Sequence, residues 1–127
     1  MNSAVSPNSI APPAANYAHA VLSVNASRLL HTSGVVPIAP DGTVPPALAD
    51  QAVLVWANIG AILAEAGMEA TDVVSVTSYV VAGQDLPTVM AARDDALRGH
   101  RAASTLVVVP SLARPEWRME ISVVAVR

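Results

Sequence analysis

The chain has 127 residues, 53% of them hydrophobic, with no Cys, no Phe, and seven basic residues that are all Arg. Cysteine nucleophiles, thiolate zinc sites, disulfide scaffolds and Schiff-base lysines are thereby excluded, since each needs a side chain the sequence lacks. Ten acidic residues set the formal charge at −3, and the Arg are scattered rather than striped, which argues against nucleic acid as a partner.

A chain of this size buries roughly two-thirds of its unfolded surface and supports a single core. Polar, Gly or Pro residues interrupt every apolar run before the roughly 18 residues a membrane span needs. The first 16 residues have neither the basic start nor the apolar block of a secretory signal. No membrane partner and a cytoplasmic location are therefore expected.

Residues 1–14 are rich in Ser, Asn, Ala and Pro without any period. They are expected to form a flexible arm ahead of a single domain at 15–127, with Pro12 and Pro13 excluding helix. Residues 17–24 and 29–35 read as two strands joined at Asn25-Ala26-Ser27, a hairpin. Pro37 to Thr43 is turn-forming around Asp41-Gly42. Leu48, Ala52, Val55, Trp56, Ile59, Ile62, Leu63 and Ala66 then recur at spacings of three and four, an amphipathic helix that Gly67 can end.

The β-branched run 72–81 predicts a central strand. Asp85 can cap a second helix, with Pro87 in its first turn and Val89, Met90, Arg93 and Leu97 at helical spacing up to Gly99. Strands at 104–109 and 119–126 complete a β-β-α-β-α-β-β order. The implied fold class is α+β, a mixed sheet with both helices on one face. The other face is expected to pack against a copy of the chain, because the Val-rich strands look apolar on both sides.

These elements carry a family resemblance. Asn16-Tyr17-Ala18-His19-Ala20-Val21 is similar to Pro-Tyr-Ser-Gln-Ala-Val of the RidA proteins, also called YjgF or L-PSP endoribonuclease-like. Thr32-Ser33-Gly34, Gln51, Asn58-Ile59, Ala66-Gly67 and the run Met119 to Val126 extend the match in order and spacing. The resemblance implies a chorismate-mutase-like fold and a homotrimer with small-molecule clefts between subunits. It also implies hydrolysis of enamines and imines to carbonyl compounds and ammonia, with no metal or organic cofactor.

In the family an Arg in Pro-Ala-Arg-Ser grips the substrate carboxylate, and the Glu matching Glu120 positions water; Tyr17 and Ser33 match cleft residues. Here Arg101-Ala102-Ala103-Ser104 stands on that motif, so Ala103 occupies the Arg position. A methyl group cannot imitate a bidentate guanidinium, which argues against the standard deaminase reaction. Met90 and Ser122 are further departures.

Arg101 could deputise, because residues two apart in an extended segment share a side. Arg118 bears the same relation to Glu120, and Arg114 lies on the loop resembling the family's pocket edge. Glu120 itself, in an apolar strand, is read as a cleft carboxylate or else as half of an ion pair with Arg118 or Arg101. His19 can contact substrate or simply hydrogen-bond within its strand. The three His show no metal-ligand spacing, so no metal is expected.

Two readings follow: a RidA-like hydrolase acting on C=N bonds with Glu120 and Arg101 in catalytic roles, or a non-catalytic trimer that binds a small metabolite or a protein. An endoribonuclease ranks last, given the acidic balance and sparse aromatics.

Overall fold

Strand and helix follow the two apolar periods of the sequence. The computed structural model describes residues 1–127. In chain order it contains β1 (Asn2–Val5), β2 (Ala20–Ser23), β3 (Leu29–His31), α1 (Leu48–Glu65), β4 (Val73–Val81), α2 (Leu86–Ala96), β5 (Ala103–Val109) and β6 (Met119–Val126), with a 3₁₀ turn at Ala70–Asp72 before β4. The main sheet runs β3-β6-β4-β5. Only β4 and β5 are parallel, and α2 is the crossover that a parallel pair requires.

Two expectations are corrected. Within the supposed arm, Asn2–Val5 forms a strand antiparallel to β2, and Asn2 Nδ2 donates to Val126 O at 2.7 Å. The 17–24 and 29–35 segments form no hairpin. Asn25 does turn the chain, at φ 54°, but β2 pairs with β1 while β3 pairs with β6. The local turn follows its residues, while strand partnership is decided by distant segments.

One face of α1 buries Gln51, Ala52, Val55, Trp56, Ile59 and Leu63. Burial of Val55, Ile59 and Leu63 contributes roughly 1.5–3 kcal/mol each. Gly67, at φ 67°, ends the helix in the left-handed conformation foreseen for it. On length and composition α1 could cross a membrane, but its apolar face packs on the sheet, as in a core helix. Asp85 caps α2 by accepting from Thr88 N at 3.2 Å.

Both helices cover the sheet face formed by Val76 and Val80 of β4 and by Met119, Ile121 and Val123 of β6, all within the core cluster. A register shift between Val73 and Ser75 changes the inward parity, so Val73 and Val76 are both buried. The opposite face carries Ser75, Thr77 and Tyr79 from β4 beside Glu120, Ser122 and Val124 from β6. It is a mixture of polar and apolar groups, not the uniformly apolar surface suggested by the Val-rich runs.

Candidate functional site

Glu120 lies on the uncovered face, paired with Tyr79. Opposite it, the chain leaves β3 and rejoins the sheet one pairing later. His31 pairs with Val124 and Val35 with Ile121, so four steps on one side face three on the other. The extra residue is accommodated at 32–34 as a bulge. Thr32 secures it, donating its N–H to Val123 O at 3.1 Å and accepting from Val123 N at its hydroxyl at 2.9 Å.

The bulge lays Gly34 against the Glu120 carboxylate, where a Cβ at Gly34 would overlap Glu120 Oε2. A side chain at position 34 would occupy the carboxylate's place. Ser33, exposed beside it, completes the edge. The ion pairs of the chain are Arg93 with Asp94 and Arg127 with Asp72, so the ion-pair alternative for Glu120 is not realised within the chain.

Two polar residues two turns apart on one side of α1 brace this region. Gln51, fully buried, donates to Pro45 O and Glu116 O at 2.8 and 2.9 Å and accepts from Arg118 N at 2.9 Å. Asn58 donates to Val36 O and Ile38 O at 3.3 and 3.0 Å. Together they fix the loop entering β6 and the segment leaving Gly34. Arg118 is turned away from Glu120, its Nε donating to Pro46 O at 3.0 Å. Arg114 lies over Trp117, 5.4 Å from the ring centroid, and accepts Trp117 N at its carbonyl. That loop is closed on itself.

Tyr17, His19, Arg101 and Ala103 gather at the other end of the sheet. Ala18 bridges Ala103 in parallel and donates its N–H to Ala102 O at 3.0 Å. The Tyr17 and His19 rings meet edge to face at 6.2 Å. Tyr17 Oη accepts from Ala14 N at 3.2 Å, and His19 Nε2 donates to Ala11 O at 2.7 Å; His19 lies just before β2, not within it, and its partner belongs to the N-terminal segment. His100 Nε2 is bonded to Val73 O, and no three His, Asp or Glu side chains cluster. Exposed Arg101 approaches Asn16 Oδ1 through Nη2 at 3.5 Å.

The sequence did not single out Arg93 as a site residue. It is 5% exposed and joins Asp94 and Ser104 immediately behind Ala103. The available signal was a charge on the otherwise apolar stripe of Val89 and Leu97.

The two groups do not meet within one chain. Ala103 pairs with Ser75 and Glu120 with Tyr79, four residues apart along β4, or about 13 Å, and β5 and β6 flank β4 on opposite sides, about 10 Å apart. Arg101 therefore cannot serve the Glu120 of its own chain.

A mixed four-stranded sheet with both helices on one face is the architecture of a known family. The model of the family described as Endoribonuclease L-PSP matches residues 8–127. The chain belongs to this family, the RidA/YjgF proteins. It is 33% identical over 111 residues to the 2-iminobutanoate/2-iminopropanoate deaminase of Escherichia coli, covering 84% of this chain and 86% of that one. Among solved structures, the Rid-family protein YyfB from Yersinia pestis superposes with a TM-score of 0.89 at 29% identity, covering 99% and 98% of the two chains. Escherichia coli TdcF, solved with bound serine, gives 0.73 at 26% identity, covering 95% and 92%.

Proposed function

We propose that the protein hydrolyses small imines or enamines bearing a carboxylate, in clefts that form between the copies of a homotrimer. The observation that carries this reading is the Glu120 carboxylate, free of any ion pair in its chain and seated on Gly34 at the uncovered sheet face. One copy supplies Glu120, Ser33 and Gly34, and its neighbour supplies Tyr17, His19 and Arg101. The separation within one chain supports such a shared site, as does the partly apolar uncovered face.

In the reaction, Glu120 accepts a proton as water oxygen bonds to the imine carbon. The C=N electron pair moves to nitrogen, which takes up the proton held by Glu120 to give the amine of a carbinolamine. The carbinolamine hydroxyl then gives its proton through Glu120 to that nitrogen as the C–N bond breaks, releasing ammonia and leaving the carbonyl. No electrons are gained or lost overall, so the chemistry needs a positioned base and an anchor, not a redox group. Arg101, the nearest cation in sequence to Ala103, binds the substrate carboxylate in this reading.

Ala103 in the family's Arg position favours a second reading, a non-catalytic trimer that binds a small metabolite or a protein. The serine bound to TdcF shows a relative holding a small amino acid. An endoribonuclease is disfavoured, because Arg28, Arg93, Arg118 and Arg127 are committed to acceptors within the chain.

Ammonia release from freshly generated 2-iminobutanoate separates these readings. Hydrolysis faster than the spontaneous rate, and reduced in Glu120→Ala and Arg101→Ala, is expected. Turnover indifferent to both substitutions would remove the mechanism. Absence of turnover, together with thermal stabilisation by small carboxylates, would establish the binding reading.

A further inference from the structure

Arg93 occupies the sheet-facing side of α2, where an apolar residue would be the cheaper choice, because desolvating a guanidinium is costly even when it is paired. Its bonds lead toward the Tyr17 end of the sheet. Nε and Nη2 donate to Asp94 Oδ1 at 3.0 and 2.9 Å, and Nη1 donates to Ser104 Oγ at 3.2 Å. The other Asp94 oxygen accepts from Asn16 Nδ2 at 3.1 Å, and Asn16 Oδ1 faces Arg101 Nη2 at 3.5 Å.

Asn16 immediately precedes Tyr17 on an irregular segment that meets the sheet through a single bridge, Ala18 to Ala103. Side-chain bonds therefore decide how that segment sits. Each link is charge-assisted at one end, which makes it stronger and more directional than a neutral bond. The last link is the longest, and it reaches the most exposed group.

We infer that Arg93 and Asp94 are positioning residues that act through Asn16, fixing the Tyr17 segment and holding the Arg101 guanidinium beside Ala103 to receive a substrate carboxylate. The inference rests on the hydrolase reading and extends it, since it explains how a cation two residues from the family's position is held in place. A merely structural Arg93–Asp94 pair would affect stability without affecting how Arg101 binds an anion.

The test is the affinity for 2-oxobutanoate, the product of 2-iminobutanoate hydrolysis, measured by calorimetry on the full chain with melting temperatures recorded in parallel. Arg101→Ala should weaken binding about tenfold. Asn16→Ala and Asp94→Asn should each weaken it about threefold. The Arg101→Ala/Asn16→Ala double variant should match Arg101→Ala alone, because Asn16 acts on the bound anion through Arg101 and has nothing left to position once that guanidinium is gone.

Asn16→Ala and Asp94→Asn with wild-type affinity, or losses that multiply in the double variant, would overturn the inference and leave the functional reading intact. A wild-type chain that binds no 2-oxo acid would overturn both. The Asn16 variant keeps the test decisive should Asp94→Asn impair folding by leaving the buried Arg93 without its partner, since Asn16 is exposed.

Discussion

The two ends of the sheet hold their candidate site residues in different ways. At the Glu120 end, a regular strand carries the carboxylate, a bulge brings Gly34 under it, and α1 clamps both neighbouring segments through Gln51 and Asn58. At the Tyr17 end, one bridge and a run of side-chain bonds hold an irregular segment. The first is fixed by backbone architecture and the second by replaceable side chains. Ala103 lies at the second end, where a change of side chain does not require rebuilding the sheet.

The largest effect is expected from Glu120→Gln, which keeps the shape and removes the base: imine hydrolysis should fall about 100-fold or more with little change in melting temperature. A rate within twofold of wild type would show that the Glu120 end is not the catalytic one. Next is the clamp. Gln51→Leu orphans the Pro45 and Glu116 carbonyls and the Arg118 N–H, so chemical denaturation should register a loss of about 2 kcal/mol; an unchanged midpoint would show that α1 does not brace this end.

Gly34→Ala should then cost about tenfold in rate, by pushing aside the flexible end of Glu120 while the backbone stays in place. A large loss of stability instead would mean that the bulge cannot yield.

The smallest effect concerns the Asp41 turn. Bonds from the Thr43 hydroxyl and N–H hold the Asp41 carboxyl below the ordinary aspartate value. Because the folded value is the lower one, this contribution is present above the unfolded pKa and is lost as pH falls through the folded pKa. An NMR titration should show Asp41 inflecting below the same residue in the unfolded chain. Coincident inflections would contradict the turn geometry.

How much of this was legible in the sequence differs between the ends for the same physical reason. The β-branched run of β4, the stripe of α1, the Asp85 cap and Gly67 are local signals, and the structure follows them. Glu120, Ser33 and Gly34 could be picked out by resemblance, but the overlap that makes Gly34 necessary depends on a pairing offset between β3 and β6, which no local pattern encodes. β1 was missed because Asn2-Ser3-Ala4-Val5 has no strand period and acquires its conformation from β2. Arg118 looked like a neighbour of Glu120 only if the strand began one residue earlier; β6 starts at Met119, and Arg118 follows the loop toward Pro46. Arg93 falls on a helical stripe in the sequence, and a charge at a core position beside Asp94 is the one sign of the polar purpose the stripe serves there.

In the proposed trimer a working cleft takes Glu120 from one copy and Arg101 from another. Mixed assemblies test it directly: Glu120→Gln and Arg101→Ala chains are unfolded together in equal amounts, refolded, and assayed for imine hydrolysis. With random assembly, about one cleft in four combines both intact halves, so the mixture should recover roughly a quarter of wild-type activity. A mixture no more active than the average of its two parents would contradict the shared cleft.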